Sequence, residues 1–311
     1  MQDIGLLLRS YADDFAYAQR LVGSFREHNA DALTLYVVVS TTDMELFGSL
    51  ASGDVIVMDD GALTRYFTDT EVHGIRPGYV NQEIVKLAFW ELALTRNYFC
   101  VDSDAVFIRD FSAQDFLAPD GFPFSVLVED KELLVEPRYF ADYWQSREQS
   151  LIRIASEVGL NDTPLLTCHG HQVFSSAVLQ SFREEFLGPR GWTYLDALRV
   201  SPYEFSWYNF WLQKTRTIPI HAREPLAKVF HHEGHHMEYL LRGVTTEDIA
   251  RGYLAVVVNS NYSRDLGLVS TGDSKEASLA RYLSYGELWR LLRVKLGRSF
   301  ALMLGRSRHQ S

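Results

Sequence analysis

The sequence predicts an α/β fold with a mostly parallel sheet flanked by helices. Three observations carry this. Short apolar runs of strand composition alternate with helically spaced segments from residue 4 to 58. Each run ends in a short polar loop. A further apolar, aromatic run, Asn97 to Val101, stops at Asp102-Ser103-Asp104 before a second apolar run begins.

The elements follow in order. Ile4 to Leu8 reads as a buried strand, and Arg9 to Asp14 as its polar loop. Phe15 to His28 has helical spacing, with Phe15, Ala18, Leu21, Val22 and Phe25 on one face. Leu33 to Val39 is a second strand, and Ser40 to Asp43 opens the helix Met44 to Leu50. Asp54 to Met58 is a third strand. In such sheets ligands bind beyond the carboxyl ends of the strands. The loops Ser10 to Asp14, Ser40 to Asp43 and Asp102 to Asp104 are therefore expected to converge on one crevice. Asn81 to Thr95 is a helix that presents Gln82 and Lys86, four residues apart, on one face. Further on, Phe122 to Val128 reads as a strand, Tyr139 to Val158 and Val173 to Phe186 as helices, and Leu195 to Lys214 as helical or mixed. Leu254 to Val258 is a late strand, Gly267 to Ser274 a linker, and the rest helical. The expected organisation is one catalytic domain over 1–266 and a linker with a basic amphipathic tail over 267–311.

Composition bounds the function. A chain of 311 residues with 47% hydrophobic content can bury a sizeable core. No stretch approaches the roughly 18 apolar residues that cross a bilayer, and the amino terminus reads as a strand rather than a signal peptide. Two cysteines, Cys100 and Cys168, form no disulfide framework and point to a reducing cytoplasm. The net charge is −10, unevenly spread. From 275 to 311, eight lysines and arginines face Glu276 and Glu287, a balance of +6, so the remaining residues carry −16. An acidic body argues against nucleic-acid binding.

Asp102 and Asp104 are costly to place at the mouth of a buried strand, since burial disfavours their charge and each repels the other. A divalent cation is the simplest compensation, and oxygen ligands suit Mg²⁺ or Mn²⁺. A diphosphate sharing that metal would make the substrate a nucleotide-activated one. Strand alternation puts both carboxylates on one side and Ser103 on the other.

Gln82 to Leu87 followed by Phe99 to Arg109, with Asp-Ser-Asp at 102–104, resembles the GT-A glycosyltransferases, and is similar to bacterial members with a Gln, Lys-Leu and Asp-Ser-Asp pattern. The resemblance implies a Rossmann-like GT-A domain and transfer of a sugar from a nucleotide-diphosphate donor. It implies that Asp102 and Asp104 hold Mn²⁺ or Mg²⁺ against the donor diphosphate. Ser10, Tyr11 and Asp13 would lie near base and ribose. Gln82, Lys86 and Ser103 would lie beside the donor. A late histidine, His232 or His235, would complete the metal site.

Other motifs bear on the same reading. His232-Glu233-Gly234-His235-His236 also fits the zinc-protease pattern H-E-x-x-H, but Gly234 weakens the helix that pattern needs. Cys168, His169 and His171 lack a fourth zinc ligand at useful spacing; the loop instead places His169 or His171 at a pocket or at the start of a helix. Glu204, among Tyr203, Phe205, Trp207 and Tyr208, is a partly desolvated carboxylate suited to take or orient an acceptor hydroxyl proton. The aromatics suit sugar stacking or core packing. The tail over 287–308 mixes Trp289 and leucines with basic residues, as helices at an anionic membrane interface do. It would bring the enzyme to the inner face of the cell membrane and to a lipid-linked or glycan acceptor, as in surface polysaccharide or lipopolysaccharide assembly. A non-catalytic sugar-nucleotide or glycan-binding protein is the competing reading. A nucleotidyltransferase is disfavoured because Arg9 to Asp14 contains no glycine.

Overall fold

A computed structural model describes residues 2–129, 137–160, 165–167, 169–231, 235, 239, 243–258, 289, 293 and 296. The chain opens with β1 (Gly5–Arg9), α1 (Phe15–His28), β2 (Leu35–Val39), α2 (Met44–Gly48) and β3 (Val55–Asp59). Then come α3 (Pro77–Ala88), β4 (Asn97–Val101), β5 (Ala105–Phe107), β6 (Phe124–Ser125) and α4 (Pro137–Glu157). The remainder comprises β7 (Val173–Ser175), α5 (Ser176–Ser181), α6 (Tyr194–Val200), α7 (Glu204–Thr215), β8 (His221–Ala222), β9 (Ala227–Phe230), α8 (Thr246–Ala250) and β10 (Ala255–Val258).

The central sheet has the order β3-β2-β1-β4-β7. Its first four strands are parallel, and β7 runs antiparallel to β4, with Tyr98 opposite Phe174. The expected α/β class with a mostly parallel, helix-flanked sheet is what the chain adopts. Every residue of β2 and β4 is buried, because helices cover both sheet faces. Alternation divides the core. Leu6, Leu8, Phe99 and Val101 face α1 and α2, meeting Leu21, Phe25 and Phe47. Leu7, Tyr98 and Cys100 face the other way, toward Ile84 of α3 and Trp207 of α7.

Two features position the site. The strand order reverses between β1 and β4, which creates a crevice at their carboxyl ends. Immediately after β4 the chain leaves the central sheet for a second one, β5-β10-β9, in which β10 pairs antiparallel with β5 and parallel with β9. The Asp102–Asp104 turn is thus anchored at both ends by strands of different sheets.

The structure departs from the sequence expectations in several places. Val173 to Ser175 pairs with the edge of β4 instead of starting a helix; the helix begins at Ser176 and continues as a π-helical stretch, Phe182–Leu187. The segment 195–214 divides around Ser201, Pro202 and Tyr203 into α6 and α7. α3 starts at Pro77, a favoured first helical residue, and ends at Ala88, with a 3₁₀ turn carrying the chain to Ala93 at φ 54°. β9 lay unseen in the sequence. The linker, and the tail apart from positions 289, 293 and 296, lie outside the described residues. No helix among the described residues is long and apolar enough to cross a membrane.

Candidate active site

α3, the β4–β5 turn, the loop 169–171 and the start of α7 enclose a cavity of about 200 Å³. Asp102, Asp104, Lys86, Glu83, His169, His171 and Glu204 all border it. Among its lining groups is a buried ammonium. Lys86 Nζ lies 3.0 Å from Asp102 Oδ1 and donates to Glu204 Oε1 at 3.1 Å. It also sits 4.8 Å from the centre of the Phe205 ring. Gln82 Nε2 donates to the same Asp102 Oδ1 at 3.0 Å. The spacing of Gln82 and Lys86 along α3 thus aims both side chains at one carboxylate.

The electrostatics follow from this packing. Burial works against the Lys86 charge, but Asp102 and Glu204 raise its pKa well above the ordinary lysine value. Burial likewise works against the Asp102 carboxylate. Lys86 and His171, with the hydrogen bonds from Lys86 and Gln82, outweigh it and hold its pKa at about 2. His171 Nε2 is 3.6 Å from Asp102 Oδ2, and burial lowers the imidazole to about 4, so it is neutral near pH 7. Burial first, then Glu204, pushes the Glu83 carboxyl well above the usual range.

Backbone geometry holds the loop in place. His171 has φ 56°, a left-handed conformation that costs a non-glycine residue about 1–3 kcal/mol and tends to collect at functional sites. At Gly170 a Cβ would come within 3.3 Å of the Phe205 ring, so the absence of a side chain allows the loop to close on α7. The Cys100 amide donates to Gln172 O at 3.0 Å, and Ser206 Oγ donates to Thr167 O at 2.6 Å, tying the loop to β4 and α7.

The other sequence candidates fall as follows. Ser103 points away from the cavity, and its Oγ donates to Asp14 Oδ2 at 3.2 Å, joining the β4 loop to the β1 loop. Ser10 is buried at the end of β1 and Asp13 is exposed. The Tyr11 hydroxyl accepts from Arg76 Nη2 at 2.6 Å. None of these three borders the cavity; they line the neighbouring carboxyl end of β1. His235 is buried, with its ring 5.3 Å from Phe230 and 5.5 Å from Tyr239, while His231, among the described residues of that cluster, borders the cavity. His232 lies outside the described residues. Among the described residues, no group of three or more His, Cys, Asp or Glu side chains is arranged to hold a metal ion.

Sequence reasoning missed Glu83, whose signal was its place one turn before Lys86 on the same helical face. It also missed Tyr143 and Arg147 of α4, which close the cavity rim. The Arg147 guanidinium lies 3.9 Å from the Tyr143 ring centre and 5.8 Å from that of Tyr203. A larger cavity of about 600 Å³ opens at the amino end of β4, but several of its charged groups are paired, Arg96 with Asp3 and Asp120 with His221.

The molecule is therefore an α/β protein with a carboxylate-rich cavity at the switch point of its sheet. The chain belongs to the family of unknown function DUF6492, whose model matches residues 4–237. The fold is similar to the crystal structure of mouse xyloside xylosyltransferase 1 in its apo form. That similarity has a TM-score of 0.45 and 11% sequence identity, and covers 83% of this chain and 98% of that one. The comparison with curated proteins returns no match.

Proposed function

We propose that the chain is a metal-dependent glycosyltransferase that moves a sugar from a nucleotide-diphosphate donor to a hydroxyl of a glycan or lipid-linked acceptor. One observation carries the reading: Asp102 and Asp104, at the carboxyl end of β4, open onto the same cavity as Lys86 and Glu204. The acids fit Mn²⁺ or Mg²⁺ in donor chemistry, since both offer carboxylate oxygens to one cavity. Asp102 and Asp104 are the metal ligands of this proposal, with His232 as the candidate third ligand. When bound, the metal supplies charge neutralisation for the leaving diphosphate.

The chain's own residues do the rest. Lys86 places positive charge at the cavity floor, where charge on the leaving group develops. It also compensates Glu204, whose carboxylate orients the acceptor hydroxyl and takes its proton. Gln82 fixes Asp102. Ser10, Tyr11 and Asp13 flank the base and ribose at the end of β1. The basic tail over 287–308, whose Trp289 and Leu296 are exposed, takes the enzyme to an anionic membrane surface at the cytoplasmic face.

Thermal-shift measurement with a panel of sugar nucleotides, with and without Mn²⁺, tests the donor site; stabilisation that needs both is expected. Asp104→Ala should abolish transfer and leave the melting temperature near that of the parent. Full activity in that variant, or undiminished activity in excess EDTA, overturns the metal–diphosphate reading. Donor binding with neither transfer nor donor hydrolysis assigns the chain to the non-catalytic class instead.

A further inference from the structure

Glu83 is the buried acid that this mechanism leaves unused. It is 2% exposed, borders the cavity, and its Oε2 has no hydrogen-bond partner. A buried carboxyl oxygen without a partner is costly, and native structures rarely keep one without a reason. Its position is fixed by the helix: Tyr79, Glu83 and Lys86 lie at four- and three-residue spacing, so α3 turns all three toward the cavity. Its surroundings also select what it can meet. Glu204 and Lys86 both act on its carboxyl, and Lys86 is already engaged by Asp102 and Glu204. A sugar hydroxyl, which can both donate and accept, therefore suits the unpartnered Glu83 oxygen whether or not the carboxyl carries its proton. Size agrees. At about 200 Å³ the cavity is smaller than the roughly 300 Å³ and upward of pockets that enclose whole ligands, so it takes one part of a sugar nucleotide.

We propose that the free carboxyl edge of Glu83 hydrogen-bonds a hydroxyl of the sugar held in the Asp102–Asp104 cavity, which makes Glu83 a specificity-determining residue. The inference rests on the glycosyl-transfer reading above and names the part of the donor this wall reads. It separates the donor into two portions: the sugar is sensed by α3 and the loop 169–171, whereas the nucleotide lies outside the cavity along the end of β1. Glutamine keeps a polar edge of the same shape at this position, and alanine or methionine does not.

The test titrates the full chain, Glu83→Ala, Glu83→Met and Glu83→Gln by calorimetry in the presence of Mn²⁺. The probes are the UDP-, GDP- or TDP-sugar that most stabilises the parent and the matching nucleoside diphosphate, which lacks the sugar. Glu83→Ala should bind the sugar nucleotide about tenfold more weakly, one hydrogen bond's worth, and keep its nucleoside diphosphate affinity within about twofold. Glu83→Gln should stay within about threefold of the parent for both probes. Glu83→Met fills the volume of the lost side chain and gives the same reading as alanine if the alanine variant fails to fold. Unchanged sugar-nucleotide affinity in both apolar variants, or an equal loss for both probes, overturns the assignment of Glu83 alone. No response of the parent to any sugar nucleotide overturns the glycosyl-transfer reading, and this assignment with it.

Discussion

Two buried ion pairs stand at the carboxyl edge of the same sheet, and they differ in charge balance. At the end of β1, Arg9 Nη2 meets Asp60 Oδ2 at 2.7 Å, and Arg9 Nη1 donates to Ser10 O and Val38 O at 3.0 and 3.1 Å. There one cation is hydrogen-bonded to one anion and two backbone acceptors, with Asp43 acting on it from further away. At the end of β4, one ammonium serves two carboxylates, with Glu83 and Asp104 bordering the same cavity. The titration behaviour diverges accordingly. Burial lowers the Arg9 guanidinium in spite of Asp60, and raises the Asp60 carboxyl in spite of Arg9. There, desolvation outweighs attraction, as it often does in a buried pair. Around Lys86 attraction wins: the lysine is raised and Asp102 is held at about 2. The first pair is a closed clamp between strands. The second is a site with surplus negative charge, suited to a cation or a polyol and unsuited to a bare anion.

The largest expected effect breaks this contrast directly. Lys86→Met leaves the buried Glu204 and the partly exposed Asp102 without their shared cation. Loss of one partner of a buried pair typically costs about 3–5 kcal/mol, so the melting temperature should fall on the order of 10 °C and transfer should be lost. Adding Glu204→Gln should recover only part of the stability, because Asp102 still lacks its partner. Full recovery from that single neutralisation, or a melting temperature equal to the parent's, refutes the shared-cation picture.

Arg9→Met should cost less, on the order of 2–3 kcal/mol. It should be largely repaired by Asp60→Asn, because one neutralisation balances one lost charge. Chemical denaturation of the two single variants and the double variant forms the cycle. A double variant as unstable as Arg9→Met would show that Arg9 holds the strands through Ser10 O and Val38 O rather than through Asp60. Either way the sugar-nucleotide response should survive, in contrast to Lys86→Met.

The same contrast explains what was legible in the sequence. β1 to β4 showed themselves because each is a short apolar run ending in polar residues, and α1 because its apolar spacing is unbroken. Asp102 stood out because a carboxylate after an aromatic strand needs a partner, and Lys86 because it shares a helical face with Gln82. Their convergence with Glu204 was not legible: Lys86 and Glu204 are 118 residues apart, and only the packing of α3 on α7 joins them. The strand Val173–Ser175 was hidden because its pairing with β4 comes from a tertiary edge, whereas its local pattern continues smoothly into α5. Glu83 was hidden for a different reason. An acid beside Gln82 on a helix reads as solvated surface until the helix is known to be buried on that side.

The smallest expected effect sharpens the boundary between the two regions. Ser103 Oγ to Asp14 Oδ2 is a side-chain link between the β1 loop and the β4 loop. Ser103→Ala removes one buried hydrogen bond to a carboxylate, which should cost about 1–3 kcal/mol. Ser103 faces away from the cavity, so the metal-dependent response should keep its midpoint in a Mn²⁺ titration. The nucleoside diphosphate should lose a few-fold in affinity, because the β1 loop that flanks it is no longer held. If the Mn²⁺ midpoint shifts while nucleotide affinity stays fixed, Ser103 belongs to the Asp102–Asp104 cavity, and the division between a nucleotide end at β1 and a sugar end at β4 falls.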